Sequence, residues 1–524
     1  MLRGPTTDGL RRIAAGYGLH LSDEDLEAFR RLITGSLESY RRVDQLVEPA
    51  LPVNYPRQPG YRPRPEDNPY NAWYWKCSIR GAPEGPLHGK RVAIKDNVCV
   101  AGIPMMNGAS ILEGYVPEMD ATIVTRILDD GGEIVGKSTC EHLCFSGSSF
   151  TSDTGFVPNP HDPTRSVGGS STGSAVLLAL GECDMAIGGD QGGSIGHPSA
   201  WTGVYGLKPT YGLVPYTGIF PIELTLDHIG PMAATVGDVA LLLESLAGPD
   251  GLDPRQQGVQ VDRYTAALGA GARGLRIGIL EEGFNWPNRS EPDVDEAVRR
   301  AAHAFADLGA AVSTVSVPMH RDGFHIWNCI LFEGVTALVV NGNGMGTNWK
   351  GHYSVSLLEA FARGRLSQAD DLADTVKLVM LMGEHMRQQY HGRYYAKAQN
   401  LGRALTQAYD EALRPCGLSA AQLAILAAVD VGEATSIAEL SKRLAMDRTT
   451  LSRNLKPLEK ARWIRLGAEG WKRSKTVQVT SDGRQRLARA TAFWESAQAG
   501  FLNRFGKVEW MRVDRDLQAI SALY

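Results

Sequence analysis

The stretch ATIVTRILDDGGEIVGK, residues 121–137, contains the change of period on which the fold turns. Its first half places Ile123, Val124, Ile127 and Leu128 at helical spacing, and Gly131-Gly132 then breaks the helix ahead of a short β-rich run. The same alternation spreads outward in both directions. RVAIK (91–95), IVGK (134–137), MAIGG (185–189) and YGLVPY (211–216) read as strands. GSAVLLALGE (173–182) and TVGDVALLLESLAG (235–248) read as helices. A chain that alternates in this way predicts an α/β core, a mixed central sheet flanked by helices. Further on, LRIGIL (275–280) and AVSTVSV (311–317) read as strands on either side of a helical segment at 295–310. Residues 355–413 turn helical again.

Upstream, residues 8–47 carry apolar positions at helical spacing (Leu10, Ile13, Leu26, Phe29, Leu32, Ile33, Leu37), with Ser22 and Asp25 spaced as a cap. The Pro-rich stretch at 51–69 reads as an extended linker, because proline fixes the backbone and cannot donate to a ladder. A chain of 524 residues exceeds one ordinary core. We divide it at 1–70 (helical segment and linker), 71–400 (α/β core) and 401–524.

The 43% hydrophobic and 21% charged composition is that of a globular protein. Seven scattered cysteines do not form a disulfide framework. Cys140 and Cys144 flank His142 in KSTCEHLC, but no second ligand cluster accompanies them, so they read as core thiols and no metal is expected. With neither a signal-like N-terminus nor a long apolar run, the expectation is a cytoplasmic protein without a membrane partner. Charge is uneven. Residues 401–524 hold 20 Lys and Arg against 13 Asp and Glu, whereas the first 400 carry a net −11. A basic last quarter on an acidic body suggests different partners for the two parts.

Two glycine-rich segments stand out, SVGGSSTGSA (166–175) and GGDQGGSIGHPSA (188–200). Such density means backbone that turns tightly or approaches something closely. The first lacks the lysine of a phosphate loop, and neither fits a dinucleotide fingerprint. Gly192 to Gly196 satisfies G-x-S-x-G, so a hydrolase elbow with a downstream acid and histidine (His228, His320, His325 or His352) remains open. That reading leaves unexplained the serine-rich loop 24 residues earlier and the lysine that ends RVAIK.

Together with GKRVAIKDNVCVAGIPMMNGA (89–109) and GIFPIELTLDHIGPMA (218–233), these segments resemble the amidase signature family, most closely its nitrile-metabolism-type bacterial members. The resemblance implies hydrolysis of short aliphatic or aromatic carboxamides to acid and ammonia, with no cofactor. Carried over by motif, it makes Ser194 the nucleophile, Ser170 the bridging serine after a cis peptide bond, and Lys95 the base. A serine hydroxyl needs such a base to become nucleophilic, and burial of Lys95 would favour its neutral amine. The amides of Gln191, Gly192, Gly193 and Ser194 would form the oxyanion hole. The family commonly has an arginine two positions after the nucleophile; here Gly196 stands there, followed by His197, which reads as a structural filler.

The resemblance fades at 400–413, about a hundred residues before the family usually ends. The remainder resembles the MarR group of regulators, an α+β winged helix-turn-helix domain. DRTTLSRNLKPLEKARWI (447–464) would be its recognition helix, capped by Asp447 and kinked by Pro457. Arg448, Thr449, Thr450, Ser452, Arg453 and Lys456 would face double-stranded DNA, and Lys472, Arg473 and Lys475 would sit on the wing. MarR-type proteins pair through their terminal helices, which implies a homodimer. Three functions therefore compete: an amidase with a DNA-binding appendage, a regulator whose shortened amidase body only senses ligand, and a fusion in which neither half works well.

Overall fold

The structure is a computed structural model that describes residues 2–413, 420–430, 435–444, 448–467, 476–488 and 490–491. It separates into two compact units, residues 1–265 with 338–377, and residues 266–337 with 378–524.

The first unit is built on a six-stranded mixed sheet. Its strands are β1 (Trp73–Arg80), β2 (Arg91–Lys95), β3 (Glu133–Ser138), β4 (Met185–Asp190), β5 (Tyr205–Gly206) and β6 (His228–Ala233), in the order β1-β3-β2-β4-β6-β5. The central pairs β2–β3 and β2–β4 are parallel, while β1 and β6 flank them antiparallel. Side chains alternate across this sheet, as a period of two requires. Val92, Ile94, Met185 and Ile187 pack on one face with Ile123, Val124, Ile127 and Leu128 of α3 (Thr122–Asp129) and Leu242, Leu243 and Leu246 of α6 (Val236–Leu246). Ala93 and Ala186 point the other way, toward Ala175, Val176, Leu177 and Leu178 of α4 (Thr172–Ala179). α5 (Gly196–Thr202) follows β4 after a tight turn. Small residues on that second face let α4, whose residues through Leu178 are all buried, lie close against the strands.

The helix expected over 8–47 is two helices, α1 (Thr7–Gly16) and α2 (Asp23–Asp44), separated at Gly18, whose φ is +71°. Ser22 and Asp25 form the expected cap: the Asp25 N–H donates to Ser22 Oγ at 3.1 Å and the Ser22 N–H to Asp25 Oδ2 at 3.2 Å. YGLVPY is not a strand. Gly212 has φ +74°, Pro215 has no N–H to give, and the Tyr216 N–H donates to Asp253 Oδ2 at 2.9 Å instead of to a ladder.

The second unit contains the parallel pair β7 (Arg276–Leu280) and β8 (Ala311–Val315), joined through the helix Pro292–Asp307. Helix Gly323–Val335 packs along helix Arg393–Leu413. Further on come helices Ala420–Asp430, Ile437–Arg443 and Arg448–Lys460, with β9 (Thr435–Ser436), β10 (Ile464–Leu466) and β11 (Thr476–Val479) paired antiparallel in the order β10-β11-β9. Ile425, Leu426, Val429, Leu440, Leu451, Leu455, Leu458, Ile464 and Val477 form one buried cluster there. The helical run Pro318–Val340 is long and apolar enough to cross a membrane by composition, a property it shares with core helices of globular proteins.

Candidate active site

Parallel pairing sets the site. β2, β3 and β4 run in one direction, so their last residues, Lys95, Ser138 and Asp190, emerge at the same edge of the sheet. Ligand sites of α/β sheets gather at such carboxyl ends. Lys95 is fully buried; its Nζ donates to Ser170 Oγ at 2.7 Å and to the Gly189 carbonyl at 3.3 Å. Ser170 follows a cis peptide bond from Gly169 and stands just ahead of α4, itself fully buried. Ser194 lies in the turn between β4 and α5, and at 9% exposure it is the most accessible of the three. Its carbonyl accepts the Ser171 N–H at 3.2 Å, which ties the two glycine-rich loops together. The Ser171 hydroxyl adds a second tie, accepting the Gly189 N–H at 3.2 Å.

Asp190 organises the nucleophile loop. Its carboxylate accepts N–H groups from Gly193 at 2.8 Å, Ile195 at 2.7 Å and Gly196 at 3.4 Å. The Gly193 amide, expected among the oxyanion donors, is thus already engaged. Among the described residues no hydrogen bond takes the amides of Gly192 or Ser194. Gly193 has φ +115°, and a Cβ there would meet the His197 ring at 2.5 Å, so only glycine fits. Among the described residues the Ser194 hydroxyl is hydrogen-bonded neither to a histidine side chain nor to Ser170 or Lys95; the contact between the two serine loops runs through the main chain.

A second buried lysine stands behind the first. Lys137 Nζ lies 2.8 Å from Asp96 Oδ1, with both side chains almost wholly buried. Burial pushes the Asp96 carboxyl up, while Lys137 and the N–H groups of Met106 (3.0 Å) and Asn107 (2.7 Å) pull it down. The sequence reading assigned no role to Asp96, Lys137 or Asp190. The only signal it held was position, since each sits at or next to the end of a strand.

The wall beside Gln191 is the loop 216–228. Gln191 Nε2 donates to the Tyr216 hydroxyl at 3.1 Å. Asp227 closes this loop by accepting the N–H groups of Ile222 (3.2 Å) and Glu223 (3.3 Å). Burial pushes the Asp227 carboxyl up to about 7; Arg255 and the two N–H groups oppose this, and Glu223 adds to it.

Of the residues expected to meet DNA, Arg448, Thr449, Thr450, Ser452, Arg453 and Lys456 all fall on helix Arg448–Lys460, which continues through Pro457. Ser452 and Lys456 are exposed, opposite the buried Leu451, Leu455 and Leu458. Asp447, Lys472, Arg473 and Lys475 lie outside the described residues.

Residues 65–458 match the family described as Amidase. The chain belongs to the amidase family. It is 43% identical over 416 residues to an enantioselective amidase of Rhodococcus rhodochrous, covering 79% of this chain and 80% of that one. It is 36% identical over 350 residues to a glutamyl-tRNA(Gln) amidotransferase subunit from Synechococcus sp. (strain RCC307), covering 67% and 71%. Among solved structures, the peptide amidase of Stenotrophomonas maltophilia is 30% identical with a TM-score of 0.51, over 61% of this chain and 66% of that one. The amidase match extends to residue 458, beyond the 400–413 region where the motifs fade. As a member of this family the protein is a hydrolase acting on amide C–N bonds.

Two measurements probe how this amidase holds its site. Asp190→Ala frees three loop amides at once, and kcat should drop by about a hundredfold or more, the scale of losing one oxyanion donor. Unchanged kcat in a variant with a wild-type urea midpoint would show that the loop holds without its carboxylate. Asp227 concerns pH. Its folded pKa lies above the unfolded value of about 3.9, so the native state keeps a proton that the unfolded chain releases, and stability falls as pH rises from about 4 to about 7. Asp227→Asn should flatten that slope, read from urea midpoints of both proteins across the window.

Proposed function

We propose that this amidase hydrolyses short aliphatic or aromatic carboxamides to acid and ammonia through a serine-bound acyl intermediate. The observation that carries the reading is the 2.7 Å hydrogen bond from Lys95 Nζ to Ser170 Oγ, at a sheet edge that also presents Ser194. In this mechanism Ser194 Oγ attacks the amide carbon, and its proton passes by way of Ser170 to Lys95. The oxyanion is received by the amides of Gln191, Gly192 and Ser194, which the Asp190 clamp orients. The lysine then returns the proton to the leaving nitrogen, ammonia departs, and water attacks the acyl carbon with the same serine and lysine as base. The support for an amide as substrate is the 43% identity to an enzyme named an enantioselective amidase; the restriction to short aliphatic or aromatic carboxamides comes from the motif resemblance.

A second reading concerns the C-terminal segment, which we propose is a MarR-type winged helix-turn-helix bound to double-stranded DNA. It is supported by the order of three helices and a three-stranded antiparallel sheet, by the exposed Ser452 and Lys456 on helix Arg448–Lys460, and by the basic balance of the last quarter. Under this reading the chain acts as a homodimer in the cytoplasm.

Ammonia release from benzamide and propionamide, measured for the purified protein and for Ser194→Ala and Lys95→Ala, tests the first reading. Release by the parent and background levels in both variants are expected; equal rates in parent and Ser194→Ala would end the amidase mechanism. For the second, retention on genomic DNA fragments should weaken steeply with salt and fall in a Lys456→Ala, Arg453→Ala variant. A flat salt response refutes it.

A further inference from the structure

Behind Lys95 the polypeptide makes an unusual turn. Leu143 and Cys144 have φ values of +48° and +63°, a left-handed pair in which neither residue is glycine. The turn aims the Cys144 thiol inward. Cys144 Sγ and Cys140 Sγ both donate to a single acceptor, Asn107 Oδ1, at 3.4 Å each. Cys140, Ser170 and Lys95 all act on the Cys144 thiol and draw it toward the thiolate. Between the two cysteines, the Glu141 N–H donates to the Ser170 carbonyl at 3.3 Å. The Cys140–Cys144 loop therefore supports the bridging serine with one group and carries a thiol that feels the charge of Lys95 with another.

We propose that Cys140 and Cys144 are a peroxide-sensitive thiol pair whose oxidation to a disulfide stops amide hydrolysis. The proposal rests on the reading of Lys95 and Ser170 as the activating pair. In the first step the Cys144 thiolate attacks hydrogen peroxide; an S–O bond forms, the O–O bond breaks, and the departing hydroxide takes a proton to leave as water. The thiolate has lost two electrons and is now a sulfenic acid. In the second step Cys140 gives up its proton and attacks the Cys144 sulfur; the S–S bond forms, the S–O bond breaks, and a second water leaves. Peroxide is reduced to two waters, and two thiols become one disulfide. Once the two sulfurs are bonded, neither has an S–H to give Asn107 Oδ1, and the loop that carries Glu141 is drawn tight beside the Ser170 carbonyl.

The surroundings single out Cys144 as the attacking thiol, while burial and Cys144 itself push Cys140 up and leave it the resolving one. Burial raises the Cys144 thiol, but the Cys140 hydrogen bond, the Lys95 charge and the Ser170 and Lys95 hydrogen bonds outweigh it and leave the thiol below its ordinary value. Burial pushes Cys77, Cys99 and Cys183 up to about 12, where the reactive thiolate is scarce.

The experiment treats the full-length protein with hydrogen peroxide, follows ammonia release from benzamide, and maps disulfides by peptide mass spectrometry without reductant. A Cys140–Cys144 link, loss of most of the activity, and its recovery with dithiothreitol are expected. Cys140→Ser should keep its activity before treatment but lose it irreversibly with peroxide, because a sulfenic acid with no resolving thiol oxidises further. Absence of the link under conditions that inactivate the enzyme, or a link that leaves the rate unchanged, would overturn the proposal. An untreated enzyme with no amidase activity would refute the activating-pair reading instead, and the mass map would still decide whether the thiols couple.

Discussion

Two lysines are buried one register step apart on neighbouring parallel strands, and the rest of the site depends on how each is neutralised. Lys95 ends β2 opposite Ser138, and Lys137 precedes Ser138 on β3 opposite Ile94. Taking a charged amine out of water costs several kcal/mol even after relaxation, so each must find partners inside the protein. Lys137 has a carboxylate at 2.8 Å, and that carboxylate in turn holds the loop at Met106 and Asn107. Among the described residues Lys95 has no carboxylate as a hydrogen-bond partner. It has a serine hydroxyl and a main-chain carbonyl. Lys137 is a structural ion pair. Lys95 is left beside a hydroxyl that can give or take a proton, which is the condition general base catalysis requires.

The same logic extends to the nucleophile loop. A turn of Gly192, Gly193 and Ser194 at the end of a fully buried strand leaves several amides to satisfy, and a lone buried amide costs about 1–3 kcal/mol. Asp190 takes one of them, that of Gly193, together with the amides of Ile195 and Gly196 that follow the turn. Among the described residues the amides of Gly192 and Ser194 make no hydrogen bond, and under the proposed mechanism these can turn to the oxyanion without breaking one.

Much of this was legible in the sequence. Residues 121–137 gave both α3 and β3, because Ile123, Val124, Ile127 and Leu128 have helical spacing and the paired glycines end it. RVAIK and MAIGG became β2 and β4, the two strands whose ends carry the lysine and the clamp. YGLVPY misled because β-branched and aromatic composition is a statement about burial, and here burial occurs in a loop fixed by Asp253. β1 and β6 were missed for the opposite reason: WYWKCSIR and HIGPMA do not alternate cleanly, since one has register shifts and the other carries a proline and a glycine. The trio Lys95, Ser170 and Ser194 was named from motif resemblance and not from periodicity. Asp190 and Lys137 were not named, because their contacts arise from which loops the sheet brings together, and a linear spacing holds no record of that.

The missing arginine after the nucleophile has a local explanation in these terms. The residue two places on is Gly196, exposed and with nothing within 4 Å of where a Cβ would stand. The neighbouring His197 does the packing. Its ring presses on the Gly193 backbone and stacks on Trp201 with centroids 6.0 Å apart, while its own N–H donates to the Gly193 carbonyl at 2.7 Å. The ring and main chain of one residue therefore hold the outer side of the loop, as Asp190 holds the inner side. With both sides fixed, the nucleophile turn holds its shape with glycine at position 196, where the family resemblance leads one to expect an arginine.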